Sequence, residues 1–197
     1  MGHGRPFARG LPWLLLVGGL IGLCAAFVLT VEKLALAIDP AYAPTCSINP
    51  VLNCGSVMDT PQAAALGFPN SLIGIAGFAV VAAIGAALLA GAQMSRWFWY
   101  SMQLGVIAAV VFVHWLIVQS LYEIGALCPY CMVVWAVTVP IFWYVTLRNL
   151  DRTVTKPGPR LLVAASLRSH SVLLTVWYLA VIALIALRFW SYWSTLL

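Results

Sequence analysis

Apolar residues run along this chain in five long stretches nearly free of charge: Leu11 to Val31, Leu72 to Gln93, Trp97 to Leu121, Cys128 to Leu147 and Ser171 to Leu187. Each is close to the roughly 20 residues that a helix needs to cross the hydrocarbon core of a bilayer. The pattern predicts an all-α integral membrane protein with five transmembrane helices. The last stretch is the shortest, but Arg188 can snorkel to the interface, and Phe189, Trp190, Tyr192 and Trp193 read as an aromatic belt. Arg96, Trp97, Trp99 and Tyr100 mark a second interface at the start of the third stretch. Gly18, Gly22, Gly74, Gly77, Ala82, Gly85 and Ala86 read as surfaces where helices approach closely.

Composition agrees with this picture, since 63% of the 197 residues are hydrophobic and only 8% are charged. A soluble domain would carry about a quarter charged residues. The first stretch has some marks of a signal peptide, with Arg5 and Arg9 before it and Ala35-Leu36-Ala37 after it. Its apolar run is about twice the usual length for such a segment. Glu32 and Lys33 also separate it from the small-residue site, so it is expected to remain as a span.

The distribution of charge predicts orientation. Arg5, Arg9, Arg96, Arg148, Arg152, Lys156, Arg160 and Arg168 fall in one set of connections, and the opposite set holds only Lys33 and Arg188. The excess of positive charge places the first set, with the N-terminus, in the cytoplasm, and the C-terminus outside. The basic balance is then a topology signal, not a nucleic-acid footprint, because no binding motif accompanies it. The expected organisation is a cytoplasmic N-terminus (1–10), a four-helix unit (11–150) with an outer loop at 32–70, a basic cytoplasmic loop (151–170) and a fifth span with its aromatic anchor (171–197). Polar residues inside the spans are few: Gln103, His114, Gln119 and Thr138, with Pro140 expected to kink the fourth span. There is no series of buried carboxylates such as an ion pump needs, and His114 is expected to be neutral and hydrogen-bonded within the bundle.

Of the five cysteines, Cys46, Cys54, Cys128 and Cys131 lie at the outer side, and Cys24 sits within the first span as a small packing residue. Cys128-Pro129-Tyr130-Cys131 opens a helix, whose unpaired amides and dipole favour the reactive thiolate. Pro129 suits the first helical turn because its missing N–H would be unsatisfied there anyway. Cys46 and Cys54 form a second pair in a loop of about 39 residues, long enough to be functional. Within that loop Thr60 and Pro61 predict a short helix ending near Gly67, able to close over the bundle as a lid. Two pairs that can touch in turn suit thiol–disulfide exchange. Two structural disulfides remain an alternative, as does a four-cysteine zinc site, although such sites favour closer ligand spacing.

The order Cys46-x7-Cys54-Gly55-Ser56, then Phe68-Pro69-Asn70-Ser71, then Cys128-Pro129-Tyr130-Cys131 resembles the vitamin K epoxide reductase family, over roughly residues 11 to 150. Residues 126–135 look most like actinobacterial members. The resemblance implies four helices surrounding a quinone (menaquinone, ubiquinone or a vitamin K-type molecule), with one further helix beside them. It implies electron flow from a thioredoxin-fold partner through Cys46, Cys54, Cys128 and Cys131 to the quinone. Asn70 then donates to a quinone oxygen, and Ser56 and Trp135 lie near the site. Many bacterial relatives carry a fused thioredoxin-like domain after the last span, so a separate DsbA-like protein is expected as partner. Vertebrate members have tyrosine where Trp135 stands. The resemblance therefore implies a quinone-linked, disulfide-generating oxidoreductase in a bacterial cytoplasmic membrane. The alternatives are a vitamin K epoxide or quinone reductase proper, and a non-enzymatic scaffold stapled by disulfides.

Overall fold

A computed structural model describes residues 6–154 and 169–195, with side chains from residue 10 onward. The basic residues Arg5, Lys156, Arg160 and Arg168, and the side chain of Arg9, lie outside the described residues. Five helices among those described are long and apolar enough to cross a membrane. They are α1 (Pro6–Ile38), α3 (Asn70–Leu89), α4 (Arg96–Val118), α5 (Pro129–Thr153) and α6 (His170–Arg188). Between α1 and α3 lie the short α2 (Cys54–Met58) and a 3-10 turn at Pro61–Ala64, and α7 (Trp190–Trp193) follows α6. Helix α4 runs on as a π-helical turn, Gln119–Ile124, which Gly125 ends in the left-handed conformation. The chain is thus an all-α, multi-pass membrane protein.

The helix boundaries depart from the apolar stretches in one informative place. Helix α1 has 33 residues, about 50 Å at 1.5 Å per residue, and passes straight through Glu32 and Lys33. The outer loop expected from residue 32 therefore begins after Ile38. Both charged side chains can stay in the helix because the loop folds back to meet them, as described below.

Helix α1 packs along α3 on one side and α5 on the other, and α4 packs on α5. Glycines permit the α1–α3 approach. A Cβ on Gly85 would run into the backbone of Leu16, and one on Gly19 would sit 2.6 Å from the Ala82 amide nitrogen. Gly22 meets the Phe78 ring, Gly74 meets Ala26, and Gly18 faces Ile141 of α5 instead. Gly77, expected among these packing residues, is not one: a Cβ there meets nothing within 4 Å. Leu15, Phe78, Ile84, Val106, Ile141 and Val145 fill the interior.

Helix α6 lies beside this bundle, attached at several levels, among them a hydrogen bond between the Tyr144 hydroxyl and His170 Nδ1 (2.8 Å). The Tyr178 hydroxyl donates to the Ala136 carbonyl (2.6 Å), Trp177 Nε1 donates to His114 Nε2 (2.9 Å), and Arg188 Nε donates to the Leu121 carbonyl (2.8 Å). Because His114 Nε2 accepts, its proton sits on Nδ1 and goes to the Val110 carbonyl. That bonding makes it the neutral imidazole, held between α4 and α6. One expectation needs adjusting: Cys24 is exposed on the outer face of α1, not packed inside. Pro140 lies inside α5, as expected.

Candidate functional site

Cys46, Cys54, Cys128 and Cys131 converge at one end of the bundle. Cys54 is the first residue of α2 and Cys128 caps α5, so each sits where a helix begins. A short piece of backbone pairing brings the two starts together. Asn49 Oδ1 accepts from the amides of Val51 and Leu52, turning the chain. Leu52 then forms a parallel bridge with Leu127, through Leu127 N to Val51 O (2.7 Å) and Asn53 N to Leu127 O (2.8 Å). Asn53 caps α2 by accepting from the Ser56 amide, and it also accepts from the Ser47 hydroxyl.

The outcome is a sulfur relay. Cys46 and Cys54 form a disulfide with Cα atoms 5.5 Å apart, and Cys54 Sγ lies 3.1 Å from Cys128 Sγ. All three cysteines are buried. The disulfide uses both loop thiols that a zinc site would need as ligands. The Cys128 sulfur accepts from the Cys131 amide at 3.4 Å. A hydrogen bond from the Cys131 thiol holds the Cys128 thiol below its ordinary range, with the Cys131 and Tyr130 amides adding to the effect and burial opposing it. Cys128 is therefore biased toward thiolate in contact with a disulfide sulfur, which is the geometry of exchange.

The loop is anchored to α1 by the two charges inside that helix. Glu32 is only 5% exposed, and its carboxylate accepts from both the amide and the hydroxyl of Thr45, the residue before Cys46. It also bonds to the hydroxyl of the half-buried Tyr42 and holds that phenol above its usual range. Lys33 Nζ donates to the Met58 carbonyl (2.6 Å) and lies 3.8 Å from the Asp59 carboxylate. Both were met in the sequence only as charges ending a span. The signal available was that this adjacent pair interrupts no helix-forming pattern, since Ala35, Leu36 and Ala37 follow it.

From Cys54 onward the chain forms a lid. The helix expected to run from Thr60 toward Gly67 is a shorter 3-10 turn, and Gly67 takes a positive φ (84°) that favours glycine. Asn70 Nδ2 donates to the Gln62 carbonyl (2.6 Å), Asn70 Oδ1 accepts from Ala65, and Gln62 Nε2 donates to Gln119 Oε1 (3.2 Å). The lid is thereby tied to α3, to α4 and, through Lys33, to α1. Asn70 keeps one amide hydrogen beyond these bonds.

Beneath the lid lies a cavity of about 920 Å³ with overwhelmingly apolar walls from α1, α3, α4 and α5. Cys131, Asn70 and Trp135 all line it. Gly77 of α3 and Gly105 of α4 also line it, and neither would meet any atom within 4 Å if given a Cβ. These glycines mark a slot between two helices that do not pack closely on each other. Ser56, expected among the ligand-contacting residues, is exposed and does not line this cavity. Its position at the solvent side of α2 directs it away.

Comparison with protein families matches the chain to the vitamin K epoxide reductase family over residues 13–146, more than half its length and including Cys46, Cys54, Cys128 and Cys131. Comparison with curated proteins finds no match.

Proposed function

The chain belongs to the vitamin K epoxide reductase family, and from that premise we propose that it oxidises an extracytoplasmic thioredoxin-fold dithiol protein and reduces a membrane quinone. The family couples thiol–disulfide chemistry to quinones in membranes. One observation carries the finer reading: Cys54 Sγ touches Cys128 Sγ at 3.1 Å, while Cys131, in the same turn of α5, lines an apolar cavity within the spans. The relay thus joins a loop in water to a chamber in lipid.

The cavity residues fit a quinone. Its apolar walls suit a ring and isoprenoid tail, and its volume lies in the range of small-molecule sites. Asn70 can give its remaining amide hydrogen to a ring oxygen, where negative charge grows during reduction. Trp135 adds a broad apolar face, with a buried indole N–H that has no partner. When bound, the quinone accepts two electrons. The protein's part is to hold the sulfurs in sequence.

The partner's thiolate attacks Cys46 and Cys54 leaves as thiolate. The partner's second thiolate then closes the partner's own disulfide and frees Cys46. Cys54 next attacks Cys128 of the Cys128–Cys131 disulfide, expelling Cys131. Cys46 resolves that mixed disulfide, restoring Cys46–Cys54 and leaving Cys128 reduced beside it. This last state matches the arrangement observed, with Cys128 and Cys131 free. The pair then forms its own disulfide as its two electrons pass into the cavity. Placement of the relay outside a bacterial cytoplasmic membrane is supported by Arg96, Arg148 and Arg152 at the opposite end of the bundle.

The test is the thiol state in cells. Under quinone depletion, alkylation should find Cys128 and Cys131 reduced, and Cys54→Ala should accumulate a mixed disulfide between Cys46 and a thioredoxin-fold protein. Four cysteines that stay oxidised whatever the quinone supply would instead indicate a disulfide-stapled scaffold.

A further inference from the structure

Lys33 is the one charged side chain among the described residues that line the mostly apolar cavity, near the end of a membrane-spanning helix. A charge facing an apolar cavity of this kind is costly and points to function. It sits at the cysteine end: its Nζ bonds to the carbonyl of Met58, and Met58 packs with Cys54 and Cys128. Behind it, 3.8 Å away, stands the Asp59 carboxylate, which is 67% exposed, whereas the Lys33 side chain is 30% exposed. The pair therefore runs from the exposed face of the lid to the cavity.

The chemistry leaves a proton to be supplied. Reducing a quinone to a quinol takes two electrons and two protons. Cys128 sits at the start of α5 accepting the Cys131 amide, which favours its thiolate. A Cys128 thiolate with a Cys131 thiol carries two electrons but only one proton. We propose that Lys33 is the general acid that supplies the second proton to the quinone, and that Asp59 recharges it from water. In balance, the Cys128 thiolate, the Cys131 thiol, the Lys33 ammonium and quinone give the Cys128–Cys131 disulfide, neutral Lys33 and quinol. One proton from water then restores the ammonium. The simpler role of Lys33, anchoring the lid through Met58, is separable because arginine preserves it.

Arginine keeps the positive charge and the donors toward Met58 and Asp59 but does not give up its proton in proteins. The proposal rests on the quinone-reducing reading, so quinol formation by the wild-type protein in lipid nanodiscs, with a dithiol reductant and a short-chain ubiquinone, tests that reading first. With wild-type turnover in hand, Lys33→Arg should bind the quinone within about twofold of wild type, read by quenching of tryptophan fluorescence. Its Cys54–Cys128 exchange rate should be unchanged, and its quinol formation should be slower by about 100-fold, in the usual range for losing a general acid. Asp59→Asn should complete the first turnover at the wild-type rate and slow in later ones. The proposal is overturned if Lys33→Arg makes quinol at the wild-type rate. It is equally overturned if that variant loses quinone affinity or sulfur exchange in step with turnover, which is the signature of a displaced lid. Unchanged steady-state turnover in Asp59→Asn would remove Asp59 from the path.

Discussion

Replacing Glu32 with alanine should expose the loop disulfide to reductants. Cys46 is 5% exposed and Cys54 0% exposed, so a reductant reaches them only when the loop opens. The segment bearing Cys46 is held to α1 by the bonds from the Thr45 amide and hydroxyl to the Glu32 carboxylate. Hydrogen bonds to charged groups each contribute about 1.5–3 kcal/mol. Water will partly replace them in the variant, so about 3 kcal/mol in all is a reasonable magnitude for the two donors. That corresponds to an open population raised by about 100-fold, and reduction through local opening follows that population. The assay uses protein with Cys24→Ser, Cys128→Ser and Cys131→Ser, so that only the loop disulfide reports, with phosphine reduction quenched by a maleimide. Glu32→Gln, which keeps one carbonyl acceptor, should fall between wild type and Glu32→Ala. A reduction rate in Glu32→Ala equal to that of the parent would refute the reasoning. It would mean that the disulfide is reached without release of the Thr45 segment.

Gly77 and Gly85 of α3 should respond oppositely to enlargement. Gly85→Leu places side-chain atoms against the Leu16 backbone and should destabilise the α1–α3 contact by at least about 1–3 kcal/mol, read as a lower melting temperature. Gly77→Leu should leave melting unchanged but fill part of the cavity, raising the KM for quinone. In reduced protein carrying Cys24→Ser, Cys46→Ala and Cys54→Ala, the Cys128 thiolate absorbance near 240 nm should titrate below the ordinary thiol range, because the Cys131 thiol donates to it. Cys131→Ala removes the largest of those stabilising contacts, so the thiolate should form only at higher pH. An unmoved midpoint would assign the shift to the helix start alone.

The five spans were legible because crossing hydrocarbon demands a long apolar run, which sequence displays directly. The cysteine order was legible for a related reason, since its spacing places two of the four at a helix start. The contacts that make a site from these parts were not. The Leu52–Leu127 bridge is formed by backbone groups, which carry no residue signature. Gln62, Gln119 and Asn70 are single polar residues whose partners lie far along the chain. Gly77 and Gly85 are indistinguishable in sequence, because which one faces α1 depends on the rotation of α3. Glu32 and Lys33 read as the end of a span, and only the folded loop revealed what holds each of them. Ser56 follows Cys54 closely in sequence, yet the short turn of α2 points it to solvent.

The central claim is that electrons enter the cavity through Cys128 and Cys131, with the loop pair acting only upstream. A single-turnover experiment tests it directly, with fully reduced protein in nanodiscs mixed anaerobically with one quinone class at a time. Protein carrying Cys46→Ala and Cys54→Ala should still yield one quinol per chain together with a Cys128–Cys131 disulfide, identified by mass spectrometry. Cys131→Ala should yield none. Quinol formation at the wild-type rate by Cys131→Ala, or its loss when only the loop cysteines are removed, would contradict the account.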